Sequence, residues 1–404
     1  MKAALGSRKA NFLIFICWAA YTTAYIARLN YSASLVEIIA QLGTTKEAAG
    51  SVSSFFFFAY GAGQLVNGFL SKKYNTRYSV TLSLVASLFL NLCMSFCTNL
   101  LVMQIVWFLN GAFQSILWSS LIKTLSENLG DDKLPNAVVV MSTTVASGTF
   151  MAYGLAALFS ALHLKWNLIF YVAAGLLGVV ALIWFFGMGV VQNVSKENKE
   201  TVQPEKPKLK FTPLLFLSAA VLVVCAIANG FIKDGVTSWV PSILKETFGV
   251  PASLSIIITL CLPIISIFGT FLVKALYRRQ KNIHILNGGF YLSTVLLICL
   301  ILLTVNIKSA PLTLVIFCSV AFLMASINNV ITSIVPLYSR DKIDSGLMAG
   351  LLNTFCYVGS TLSITLLGKI ADQSGWNSVF VCILIFAVIA FLACAFGIIL
   401  KRKK

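Results

Sequence analysis

Charge is what this sequence has least of. Of its 404 residues 11% are charged, against roughly a quarter in soluble domains. Asp and Glu together number 13, and there are two histidines. A fold of this size in water could not cover its surface with so few charges, which excludes a cytosolic enzyme, a nucleic-acid-binding protein and a disordered chain. No glycine-rich phosphate loop or Walker motif occurs, so this chain alone cannot be driven directly by ATP. No catalytic triad is visible, and an enzyme is not expected. The ten cysteines are scattered singly; Cys93 and Cys97 share a helix face, but no C-x-x-C pair or histidine cluster accompanies them. Buried cysteine is ordinarily a small hydrophobe, so neither disulfide, metal nor cofactor is expected.

Apolar residues fill the space that charge leaves. They make up 58% of the chain, and the mean hydropathy is +0.90. A helical membrane span needs about 20 mostly apolar residues. Twelve such stretches can be read, near 11–39, 47–70, 78–97, 100–123, 137–162, 168–191, 213–244, 252–276, 283–306, 311–337, 346–368 and 377–400. The first carries Lys2, Arg8 and Lys9 ahead of its apolar run but lacks a clean cleavage site, and eleven spans follow, so it reads as a retained helix. The longest polar stretch, Gln192–Lys210, mixes Lys, Glu, Asn and Pro and separates six spans from six. The expected organisation is an all-α membrane protein: a six-helix bundle over 1–191, a cytoplasmic linker over 192–212 and a second bundle over 213–404.

The net charge of +17 is a topology signal. With the N-terminus inside, 23 of the 30 Lys and Arg fall on the cytoplasmic side, and five (Lys46, Lys165, Lys245, Lys308 and Lys369) fall opposite. Membrane proteins retain Lys and Arg on the cytoplasmic side, so both termini are expected in the cytoplasm, in a bacterial inner membrane. No nucleic acid is needed to explain the excess; the expected partner on this evidence is the lipid bilayer, and the expected unit is a monomer.

The two halves echo each other. Trp166, Asn167 and Phe170 open the last span of the first half, and Trp376, Asn377 and Phe380 open that of the second, 210 residues on. The spans leading into them share glycines, Gly148 and Gly154 against Gly359 and Gly368. This argues for two pseudo-symmetric bundles with a site between them near the midplane.

Two basic residues remain unplaced by topology. Arg28 lies 17 residues into the first span, and Lys233 lies in the seventh beside Asp234, 205 residues after Arg28. Ionisable groups at membrane depth are costly and usually face a cavity. Two cations at pseudo-equivalent positions suit an anion clamp, Arg offering a planar fork and Lys a compact charge. The structural alternative is an internal ion pair, but neighbouring helix residues point about 100° apart, so Lys233 and Asp234 are not expected to bridge. Tyr21, Tyr25 and Arg28 share a helix face at i, i+4 and i+7. An aromatic stripe alone would mean core packing; the arginine in line with it points to a binding wall.

These residues carry a resemblance. Tyr25, Arg28, Asn30 and Tyr31 in the first span, the run from Phe108 through Asn110, Gly111, Phe113 and Gln114 to Trp118, and the run Lys233, Gly235, Trp239, Pro241 resemble signatures of the organophosphate:phosphate antiporters, the branch of the major facilitator superfamily that contains glycerol-3-phosphate and hexose-phosphate transporters. The resemblance implies the major facilitator fold, with twelve transmembrane helices in two six-helix bundles. It places the branch's paired arginines on Arg28 and Lys233 and its cavity tyrosines on Tyr21, Tyr25, Tyr60 and Tyr357, with Gln64, Trp118 and Trp239 as further lining. Gln64 stands where the branch has lysine, Ser142 and Val145 where it has N-x-x-H, and Asp234 where it has tyrosine. The superfamily's loop signature falls on Gly68 to Arg77, with Lys72 at its Asp position, and a second copy runs from Gly368 through Asp372; Gly68, Arg77, Gly368 and Asp372 are the expected gating residues. The function implied is secondary transport of a sugar phosphate or related organophosphate, in exchange for phosphate. The alternative is a proton-coupled symporter or exporter of a carboxylate or weakly charged solute that uses Asp234. A sensor built on a transporter fold would call for an appended domain or long exposed loop, which this sequence does not show.

Overall fold

A hydrocarbon layer offers no water to an open backbone, so a spanning chain of this composition satisfies its N–H and C=O groups within helices. The computed structural model, which describes residues 7–70, 75–130, 133, 136–137, 140–141, 143–195, 213–338 and 345–402, is helical throughout those residues apart from short turns. The elements are α1 (Ser7–Ala33), α2 (Leu35–Leu42), α3 (Lys46–Leu70), α4 (Thr76–Phe96), α5 (Leu100–Asn128), α6 (Thr144–Ala161), α7 (Leu168–Ser195), α8 (Pro213–Phe248), α9 (Ala252–Thr259), α10 (Cys261–Arg279), α11 (Ile283–Asn306), α12 (Ala310–Asn329), α13 (Val335–Tyr338) and α14 (Ser345–Arg402), with a π-helical turn over Val330–Ile334 between α12 and α13. Asn75, Asn99 and Asn282 cap α4, α5 and α11, each side-chain oxygen accepting a backbone N–H of the first turn.

Among the described residues ten stretches are long and apolar enough to cross a membrane. One of these, Met348–Leu400, holds two crossings, because α14 breaks at Gly375, where φ is 75°. That left-handed conformation is open to glycine without cost. α3 is 25 residues long, but glycine and serine dilute it and it is not among the ten. Counting both arms of α14 and α3 gives the twelve expected crossings. The outward surface fits: Phe58, Phe89, Phe96, Phe186 and Leu303 all stand largely exposed, an arrangement water would penalise and lipid tails do not.

Three boundaries differ from the sequence reading. The first expected span, 11–39, divides at Ser34 into α1 and α2. The eighth, 252–276, divides at Leu260, because Pro263 lacks an N–H and its ring crowds the carbonyl of Thr259, the last residue of α9. The expected linker begins later than 192, since α7 runs to Ser195; residues 196–212 lie outside the described residues.

Helix pairings repeat between the halves. α1 packs on α6, and the first arm of α14 packs on α8. A Cβ on Gly148 would meet Tyr25 Cβ at 2.3 Å and the Thr22 carbonyl at 2.8 Å; one on Gly359 would meet the Ile227 carbonyl at 1.9 Å. The repeated glycines therefore mark the same crossing twice, and the first crossing sits against the helix that carries Arg28. Between the halves α3 packs along α14, and α6 packs against α9 and α10.

Candidate functional site

Arg28 is the centre of an aromatic enclosure. The residue is 5% exposed, and its guanidinium carbon lies 3.4 Å from the ring centre of Tyr25, 5.1 Å from Tyr60 and 6.0 Å from Tyr21. Tyr21 and Tyr60 share a hydroxyl hydrogen bond of 3.2 Å. Trp118 packs on Tyr21 with centroids 4.8 Å apart, and Tyr357 meets Tyr60 edge-on at 4.8 Å. Ring faces attract a cation without neutralising it. Among the described residues no carboxylate comes within 4 Å of Arg28, so its charge is stabilised but left available. Tyr21, Tyr25, Tyr60, Trp118 and Tyr357, read from the sequence as lining, are thus gathered around it from α1, α3, α5 and α14.

A polar network behind α1 fixes the arginine's position. Asn91 Nδ2 and Asn110 Nδ2 both donate to the Ala27 carbonyl at 3.2 Å. Asn30 donates to Asn91 Oδ1 at 2.8 Å, Ser87 donates to Asn110 Oδ1, and Gln114 donates to Ser87 at 2.9 Å. All five side chains are buried. Buried amides are expensive unless paired, and a paired set selects one arrangement of its helices. The sequence reading did not assign this role; its only signal is the i, i+4 spacing of Ser87 with Asn91 and of Asn110 with Gln114 within apolar spans.

Across the site, α8 brings Lys233 and Asp234. Contrary to expectation they do pair: Lys233 Nζ lies 3.4 Å from Asp234 Oδ1. Backbone geometry sets neighbouring Cβ atoms apart, but the four-carbon lysine stem curls back across the gap. The other carboxylate oxygen accepts from Ser360 Oγ at 2.5 Å. Tyr25 stands close enough to interact with Arg28, Lys233 and Asp234, and Tyr357 interacts with Arg28 and Asp234. The charged groups of both halves therefore lie within electrostatic reach of the same two tyrosines.

Two further residues expected as lining, Trp239 and Gln64, are engaged in contacts between helices. Trp239 is 1% exposed, donates to the Ile364 carbonyl at 3.1 Å and wedges against Gly50 and Gly368, where α3 and α14 cross. Its bulk closes a helix junction. Gln64 Oε1 accepts from Asn353 across the α3–α14 contact, so in this conformation it joins the halves.

The gating residues divide in the same way. Arg77 stacks on Phe185 at 4.1 Å and packs against Gly189, both on α7, so it is held within its own half. Gly68 lies near the end of α3, and residues 71–74 of its loop signature lie outside the described residues. Asp372 does bridge halves. It lies 3.4 Å from Lys46 Nζ and accepts the Glu47 N–H at 2.9 Å. Lys46 also pairs with Glu246 at 3.2 Å, Lys369 pairs with Glu47 at 3.4 Å, and Trp376 donates to Glu246 at 3.0 Å. This ionic cluster closes the end of the bundle opposite the chain termini, and Gly368 lets α14 approach the Lys46 carbonyl there.

Comparison with known proteins places this architecture. A sequence profile of the Major Facilitator Superfamily matches residues 17–343. The chain belongs to that superfamily. It is an integral membrane transporter and not an enzyme. A glycerol-3-phosphate transporter of Bacillus subtilis (strain 168) is 22% identical over 408 residues, covering 93% of this chain and 89% of that protein. The membrane sensor protein UhpC of Escherichia coli (strain K12) is 25% identical over 108 residues, 27% of this chain and 24% of the sensor. Among solved structures, a bacterial homologue of the human lysosomal transporter Spinster superposes with a TM-score of 0.80 at 16% identity, over 98% of each chain. At that identity the superposition speaks for the fold alone.

Proposed function

We propose that this major facilitator protein is a secondary active transporter of a small organophosphate anion, carried by alternating access in exchange for inorganic phosphate. The observation that carries the reading is Arg28: a guanidinium at membrane depth, caged by tyrosines, with no carboxylate among the described residues within 4 Å. A planar fork of donors suits a phosphate group. Similarity to a glycerol-3-phosphate transporter over most of both chains supports the same substrate class. In this reading residues 1–191 and 213–404 rock about the shared space, with 192–212 as linker and both termini in the cytoplasm of a bacterial inner membrane. Arg28 anchors the anion, Lys233 adds charge from the opposite half, Tyr21, Tyr25, Tyr60, Trp118 and Tyr357 line the space, and Gln64 and Asp372 take part in closing it. The test is uptake into proteoliposomes of a panel of phosphomonoesters and phosphodiesters. Uptake of at least one, lost in Arg28→Ala, is the expected result; uptake unchanged in that variant overturns the reading.

A second reading, proton-coupled transport of a carboxylate or weakly charged solute, is favoured by Asp234, a carboxylate at membrane depth held by Lys233 and Ser360. It requires that Asp234→Asn lose its dependence on an imposed pH gradient. Unaltered dependence in that variant removes it.

A further inference from the structure

The charge at the centre of this transporter is smaller than its two cations suggest. Lys233 Nζ is 3.4 Å from one oxygen of Asp234, and the other oxygen accepts from Ser360 at 2.5 Å. Both carboxylate oxygens are thereby engaged, and the lysine charge is cancelled where it stands. Arg28 has no such partner among the described residues. One uncompensated positive charge remains, against the Tyr25 ring, and Tyr25 interacts electrostatically with Arg28 of one half and with Lys233 and Asp234 of the other.

A closed site away from water favours a ligand that brings its total charge to zero, because an uncompensated charge is poorly solvated there. A singly charged oxyanion on Arg28 meets that condition. A doubly charged phosphomonoester leaves one excess negative charge and brings it near the Asp234 carboxylate, and like-charge juxtaposition of this kind is how binding sites reject wrong partners. The rings around Arg28 fit the same ligand. Tyr21 packs on Trp118, Tyr60 on Tyr357 and Tyr357 on Phe57, so aromatic surface for a ligand's organic groups extends outward from the guanidinium. A diester carries organic groups on two sides of its phosphorus, where a monoester carries one.

We propose that the site selects a singly charged oxyanion, a phosphodiester in preference to a phosphomonoester dianion, and that Asp234 sets this selectivity by cancelling Lys233. The proposal rests on the reading in which Arg28 anchors an organophosphate, and it narrows that class by charge.

The test measures the affinities of glycerol 3-phosphate and its methyl diester for the purified full-length protein. A pH near 8 keeps the monoester doubly charged, since the second phosphate pKa is about 6. In the wild type the diester should bind at least roughly tenfold more tightly, the scale on which a like-charge contact discriminates. Asp234→Asn raises the site to two positive charges and should reverse the ratio. Lys233→Gln combined with Asp234→Asn returns it to one and should restore the diester preference, at lower affinity for both esters. A wild type that prefers the monoester, or a ratio that Asp234→Asn leaves unmoved, overturns the proposal while leaving the organophosphate reading intact. Binding of neither ester to the wild type removes both.

Discussion

The Tyr153 hydroxyl on α6 lies 3.4 Å from the carbonyl oxygen of Thr237 on α8. In an unbroken helix that carbonyl would accept from residue 241, but residue 241 is proline and has no N–H. Pro241 thus frees a backbone acceptor at membrane depth, and a tyrosine of the opposite half fills it. The bond exists only while α6 and α8 are close, so in the proposed alternating-access cycle it would hold one conformation. Tyr153→Phe removes it without removing the ring, at a cost of about 1 kcal/mol to that conformation. The expected outcome is a protein that folds normally and shifts roughly fivefold toward the state in which α6 and α8 separate, read as greater labelling of a cysteine placed at that contact.

The ionic cluster at the end opposite the termini should behave as a latch. Lys46 serves two carboxylates of the other half, and Asp372 additionally accepts the Glu47 N–H at the start of α3. Isolated exposed pairs contribute about 1 kcal/mol or less, but Lys46 and Asp372 are partly buried and share partners. Asp372→Asn should open this end, while Lys46→Met with Asp372→Asn should cost less than the sum of the single changes, giving a coupling near 1 kcal/mol. Spin-label distances across the latch at low and high salt would measure it. A population that neither substitution nor salt alters would rule the latch out.

The amide network behind Arg28 gives a separable prediction. Asn110→Leu leaves the Ser87 hydroxyl and the Gln114 amide short of an acceptor and leaves one donor fewer at the Ala27 carbonyl. Leaving buried polar groups unpaired costs about 1–3 kcal/mol. Thermal unfolding in detergent should therefore drop. KM for the proposed organophosphate substrate should rise more than in an equally destabilised variant at a lipid-facing position, because Arg28 follows Ala27 directly on α1.

How much of this was legible in the sequence depended on how local each feature is. Span number, the repeat and the Tyr21, Tyr25, Arg28 face follow from hydropathy and the 3.6-residue period, which operate within one helix. The Lys233–Asp234 pair was misjudged because helix geometry fixes Cβ directions but not where a flexible lysine stem ends. Trp239 stands in the run that resembles the seventh-helix signature, yet helix crossing claimed its bulk. Lys46, Glu246 and Asp372 carry no local mark, since only the meeting of α3, α8 and α14 brings them together. The amides were visible but ambiguous: Asn30, Asn91 and Asn110 lie on three helices, and polar residues within a span suit a cavity as well as a buried network.

The repeated glycines give the sharpest contrast between similar substitutions. Gly148 and Gly154 lie on the same helix, α6, six residues apart, and the sequence treats them alike. In the structure a Cβ at Gly148 would stand 2.3 Å from Tyr25 Cβ and 2.8 Å from the Thr22 carbonyl, whereas a Cβ at Gly154 would have nothing within 4 Å. Neither position requires a glycine conformation, since positive φ among the described glycines is confined to Gly43, Gly249 and Gly375. Gly148→Ala must push α1 away from α6 and so move the Tyr25 ring beneath the Arg28 guanidinium. Overpacking of this kind costs typically 1–3 kcal/mol. Gly154→Ala meets no obstruction and removes backbone freedom from the unfolded chain, a gain of up to about 1 kcal/mol. Paired unfolding curves should therefore move in opposite directions. Transport should fall in Gly148→Ala alone, and equal effects at the two positions would contradict the close α1–α6 crossing on which the placement of Arg28 depends.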